Sequence, residues 1–108
     1  MTLEQLKQAR RLIENGWTHN YPATTATGES IRDDSPKAVN FSLVGALLRV
    51  GVKTDYLVKM EKYLETRYTV GSSYDRYSLK RFNLWGTKEK VLAFLDHWIE
   101  KVSFGDYM

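Results

Sequence analysis

The stretch from Pro36 to Val50 limits the folds open to this chain more than any other. Ser35-Pro36 opens it and Gly51 closes it. That is the pattern of a capped helix, with proline where a missing amide hydrogen does no harm and glycine where the chain turns left-handed. Val39, Leu43, Ala46, Leu47 and Val50 make one apolar face, and Phe41, Val44 and Leu48 cover much of the rest. A helix apolar nearly all round has to be buried, so the segment predicts a central helix with the other elements packed around it. Gly45 inside it costs about 1 kcal/mol against alanine, which implies close approach of a neighbouring helix or aromatic ring. The mostly apolar window, Ala38 to Val50, is 13 residues long, whereas a bilayer crossing needs about 20. No membrane span is expected.

Three more helices are predicted around it. Leu3 to Asn15 carries Leu3, Leu6, Ala9 or Arg10, and Ile13 at three-to-four spacing, with Thr2 and Gln5 spaced as a capping box and Gly16 at a left-handed stop. Thr54 caps a helix over 55–68 with Tyr56 or Leu57, Met60, Leu64 and Tyr68 inward. Thr87 caps one over 88–102 with Val91, Leu92, Leu95, Trp98, Ile99 and Val102 inward. The connections 17–34 and 70–86 are long for structureless loops in a compact domain. Thr24 to Ile31 has β-branched residues on both sides of Gly28, which suits a small hairpin, and Tyr77 to Phe82 alternates enough for an extended segment. At 108 residues, 43% of them hydrophobic, the chain is about one domain's worth. The fold class is mainly α: a compact single domain, 1–108, of about four helices with room for a short β-hairpin.

Chemistry is hard to find in it. Without cysteine there is no disulfide framework, thiolate metal site or thiol nucleophile. Gly71-Ser72-Ser73 lacks the second glycine and the lysine of a phosphate-binding loop. His19, with nearby hydroxyls and Asp33, could imitate a nucleophilic triad, but no strand–serine–helix elbow or glycine-rich oxyanion loop accompanies it. His97 and Glu100 stand three apart on the last helix, reversed from the Glu-x-x-His pair of a di-metal bundle and without a second copy. They read as a solvent-facing polar side of that helix. Asp33-Asp34 reads as acids complementing a helix start. No catalytic residue, metal ligand or cofactor is therefore assigned. The N-terminus has no apolar signal region, and the expected compartment is the cytoplasm.

Charge and aromatics are better placed. The net charge is +3, yet 67–90 alone carries six cations (Arg67, Arg76, Lys80, Arg81, Lys88, Lys90) against Asp75 and Glu89, while Glu29, Asp33 and Asp34 face one Arg32 earlier on. Arg67, Tyr74, Arg76, Tyr77, Lys80, Arg81 and Trp85 interleave rings with cations. Such a mixture serves protein interface hot spots, or phosphates and unpaired bases, or simply packs rings under solvated cations.

Gly16-Trp17 ending a helix, Pro36-Lys37-Ala38 followed by Gly45-Ala46-Leu47, and Trp85-Gly86-Thr87 opening a capped helix resemble a family of small bacterial and phage proteins over residues 6–100. That family has a Trp-Asn-Asp type turn where this chain has Trp85-Gly86-Thr87. The resemblance implies a helix-rich domain of phage or mobile-element origin and no established activity. The function expected is a non-enzymatic protein-binding module, such as a phage-encoded inhibitor or accessory factor acting on a host protein. The seven residues Arg67 to Trp85 named above form its contact site. The alternative is a small nucleic-acid-binding protein using 67–90, and a homodimer is compatible with either.

Overall fold

The first helix begins where its capping box predicts. In the computed structural model, which describes residues 1–68 and 79–104 apart from the side chains of 64–68 and 85, α1 runs over Leu3–Asn15. The Gln5 amide donates to Thr2 Oγ1 at 3.1 Å and the Thr2 amide donates to Gln5 Oε1 at 2.9 Å. Two amides that the helix itself cannot satisfy are thereby used. Leu6, Ala9 and Ile13 are buried. Gly16 follows, but not as a left-handed stop: its φ is −176°, ordinary extended backbone. Its lack of a side chain serves another end, since a Cβ there would lie 2.4 Å from the Val39 carbonyl oxygen and from Asn40 Oδ1.

The hairpin predicted over Thr24 to Ile31 is present. Strand β1 (Ala23–Thr24) pairs antiparallel with β2 (Ser30–Ile31), Ala23 opposite Ile31 and Thr24 opposite Ser30. A third strand, β3 (Asn40–Phe41), lies on the other side of β1, giving the order β2-β1-β3 with Ala23 opposite Phe41 and Thr24 opposite Asn40.

This third strand corrects the reading of the central helix. The expected start at Pro36 is displaced to Leu43, and α2 spans only Leu43–Arg49. Residues 39–42 commit their backbone elsewhere: the Val39 amide donates to the Thr24 carbonyl, Phe41 to Gly16, and Ser42 to Pro22. Sheet pairing on two sides outweighs local helix preference. Ser42, not Ser35, is the cap, its Oγ accepting from the Gly45 amide at 3.1 Å. Ser35-Pro36 instead forms a turn whose carbonyls are clasped by the Arg49 guanidinium, 2.9 Å from the Asp33 oxygen and 2.8 Å from that of Ser35. The predicted end is kept: Gly51 has φ +89°, with Val52 donating to Leu47 and Gly51 to Leu48, the paired bonds of a Schellman motif. Leu43, Ala46 and Leu47 are buried, whereas Val39 and Leu48 reach solvent. Gly45 does allow a close approach, but of backbone: a Cβ there would sit 1.7 Å from the Pro22 carbonyl oxygen.

Helix α3 (Thr54–Tyr68) starts one residue earlier than predicted, because Lys53 supplies the first accepting carbonyl, to the Leu57 amide. Leu57 and Met60 are buried. Within the connection predicted to be a loop or extended segment lies a further helix, α4 (Leu79–Trp85). Its buried positions, Leu79, Phe82 and Asn83, are spaced by three and four, and that period overrides the partial alternation. Helix α5 (Lys88–Ser103) is capped by Thr87, whose Oγ1 accepts from the Lys90 amide at 3.2 Å.

Among the described residues the architecture is thus five helices and a small three-stranded sheet, mainly α with a hairpin. Helix α1 lies against both α5 and α2, and α4 packs on α2, α3 and α5. Among the described residues Trp98 on α5 is the largest fully buried side chain, in a core shared with Leu6, Ile13, Leu43, Leu47 and Leu95. Arg10 on α1 bridges to Asp96 on α5 and Glu14 on its own helix. Hydrogen bonding to Asp96 first, and then to Glu14, raises the Arg10 pKa further above its ordinary value against the opposing pull of desolvation. Among the described residues no helix is long and apolar enough to cross a membrane.

Candidate functional site

A buried asparagine assembles the site. Asn83, 1% exposed, lies one turn into α4 where that helix meets the start of α2 and the segment leaving α1. Its Oδ1 accepts from the Trp17 indole at 2.7 Å and from the Leu43 amide at 3.0 Å. Its Nδ2 donates to the Thr18 and His19 carbonyls at 3.0 and 2.9 Å. A side-chain amide can accept two hydrogen bonds and donate two, so its capacity is full. The Leu43 amide is one of the donors that a helix start leaves without a partner, and Asn83 completes it. Residues 17–22 are pinned from the other side as well: Thr18 donates to the Phe41 carbonyl and Ser42 donates to that of Pro22.

This pinned segment, the start of α2 and α4 enclose a pocket of about 140 Å³ lined by His19, Asn20, Tyr21, Pro22, Ser42, Val44, Lys80 and Asn83. Ser42 and Asn83 are buried, Val44 is half-buried, and His19, Tyr21, Pro22 and Lys80 are exposed around them. The His19 ring rests on Trp17, their centroids 4.1 Å apart. Small-molecule sites usually occupy roughly 300–1,000 Å³, whereas an apolar cavity of about 150 Å³ accepts one benzene ring. The pocket has the size of a single side chain. A wider depression of about 390 Å³ lies between α1 and the end of α2, lined by Gln8, Arg11, Leu12, Asn15, Arg49 and Val50, where Arg49 is already held by the 33–35 turn.

Of the seven predicted contact residues, Lys80 lines the pocket and Arg81 follows it on α4, half-buried. Arg67 belongs to α3 and Trp85 ends α4, and their side chains are outside the description. Tyr74, Arg76 and Tyr77 lie outside the described residues. Val44 is expected from the sequence only as part of the apolar surface of the central helix, Tyr21 and Pro22 carry no signal of a pocket, and His19 stands out only as a catalytic candidate. The one sign of Asn83 in the sequence is an amide set between Phe82 and Leu84 in an otherwise apolar run.

The other candidate groups are placed differently from the expectation. His97 does not face solvent as part of a polar helix side. It is half-buried, its ring stacked on Tyr63 at 4.8 Å and 25°, with Lys101 Nζ 5.3 Å from the centre of the same Tyr63 ring. Tyr63 also meets Trp98 edge-on at 5.5 Å, so this side of α5 packs against α3. Among the described residues no three His, Asp or Glu side chains gather where they could hold a metal ion. The chain matches no protein-family model, no curated protein and no solved structure.

Proposed function

We propose that this protein is a non-enzymatic protein-binding module of the cytoplasm, whose contact face includes the pocket between Tyr21, Val44 and Lys80. The carrying observation is the pocket itself: it is sized for one side chain, apolar on its walls, and held by backbone fixed through Asn83. A preformed receptor for one anchoring side chain is how protein interfaces concentrate their energy. An exposed tyrosine and lysine beside it suit a rim that is wetted until a partner arrives. Lys80, from the aromatic–cationic segment 67–90, lines this pocket, and Arg81 follows it on α4. The resemblance to bacterial and phage proteins supplies the setting, an accessory factor or inhibitor acting on a host protein.

The test is affinity capture from host lysate after nuclease treatment, comparing the wild type with Val44→Arg and Tyr21→Ser. Circular dichroism checks that both variants remain folded. A protein retained by the wild type and lost from both variants is expected. Equal retention by all three moves the interface off this pocket. Nucleic acid as the retained species, released steeply between about 50 and 200 mM salt as counterion release demands, replaces the reading with the nucleic-acid one.

A further inference from the structure

We infer that the pocket's partner is an acidic segment that inserts one apolar side chain of leucine or phenylalanine size. This rests on the protein-binding reading and names the chemistry of what binds. Size comes first, since about 140 Å³ is close to the space that takes a single benzene ring. The polar atoms of the floor are engaged: Asn83 makes four hydrogen bonds, and Ser42 Oγ holds the Gly45 amide. Tyr21, Pro22 and Val44 present hydrocarbon, so the chemistry of the cavity favours an apolar occupant.

Charge then selects what flanks that side chain. Among the described residues the lining contains Lys80 and no carboxylate. Lys80 is exposed on α4, which has no acid of its own. Glu61, on α3, lies at the start of α4, where its Oε1 accepts from the Leu79 amide at 3.3 Å. A segment with carboxylates on either side of its apolar residue meets favourable potential, and a basic one is repelled. The fixed backbone of 17–22 means that little ordering is required of the receptor on binding.

The experiment is an NMR titration of the ¹⁵N-labelled full chain with synthetic peptides in a Gly/Ser background. One bears Asp-Asp-Phe-Asp, a second has Ala for Phe, and a third has Lys for each Asp. Saturable shifts of the Tyr21, Ser42 and Val44 amides are expected with the first peptide and none with the second. The third should bind about fivefold more weakly or worse, the scale of one exposed ion pair. Lys80→Glu should reverse the preference between the first and third. Equal binding of acidic and basic peptides, shifts clustered elsewhere, or no shifts with any peptide overturns the inference. None of these touches the lysate result, which registers a protein partner of any chemistry. Conversely, peptide binding with no captured protein overturns the functional reading alone.

Discussion

The indole Nε1 of Trp17 donates to Oδ1 of Asn83 at 2.7 Å, joining positions 66 apart in the chain. Around that bond the end of α1, the start of α2 and the whole of α4 are held in one arrangement. Removing Asn83 strands the Trp17 indole, the Leu43 amide and two carbonyls together. Asn83→Leu should therefore destabilise the fold by about 2–4 kcal/mol, with several buried polar groups left unsatisfied. Trp17→Phe, which removes one donor and keeps a ring, should cost about 1 kcal/mol. Urea denaturation of both single variants and the double variant measures these losses and their coupling. A neutral Asn83→Leu would mean that the network contributes nothing.

Gly45→Ala offers a contrast between local and tertiary preference. In an isolated helix the change gains about 1 kcal/mol. Here the new methyl would lie 1.7 Å from the Pro22 carbonyl oxygen, so residue 22 must move and strain the Ser42–Pro22 pairing. A net loss of about 1–3 kcal/mol is expected, the ordinary range for overpacking, read as a lowered thermal midpoint.

The true start of α2 can be tested by removing its two rival caps. Ser42→Ala takes away the acceptor for the Gly45 amide and should cost about 1 kcal/mol. Ser35→Ala lies in a turn whose carbonyl, not its hydroxyl, is bound by Arg49, and should cost less than about 0.5 kcal/mol. Hydrogen exchange should show the 45 amide opening faster only in the first variant.

The Arg10–Asp96 contact joins α1 to α5 at the surface, with side chains 32% and 54% exposed. Solvent screening keeps such a pair to about 0.2–1 kcal/mol. A double-mutant cycle with Arg10→Met and Asp96→Asn should give a coupling in that range at low salt, shrinking toward zero in about 1 M salt as screening shortens the reach of charge.

The apolar pocket and the cationic segment were legible to different degrees. Lys80 and Arg81 stand out by charge, and α4 carries them to the edge of the pocket or beside it. Tyr21, Pro22 and Val44 have no distinguishing pattern, because a pocket wall needs only to be apolar and adjacent in space. Val44 reads from sequence as part of an apolar helix, and its half-buried place on the pocket wall depends on where 17–22 and α4 lie beside it.

Sequence alone determined α1 and α5, since a capping box at Thr2 and Gln5, a threonine cap at 87 and a three-to-four apolar stripe all act within a few residues of the bonds they make. It also determined the left-handed glycine that ends α2 and the hairpin around Gly28. Tertiary structure alone decided that α2 begins at Leu43, that Gly16 is there to let Val39 and Asn40 pass, and that 79–85 coils into a helix around Asn83. Each of those outcomes rests on hydrogen bonds or close contacts between residues far apart in sequence. A buried backbone group takes the partner that the whole fold brings to it, whatever its nearest neighbours would prefer.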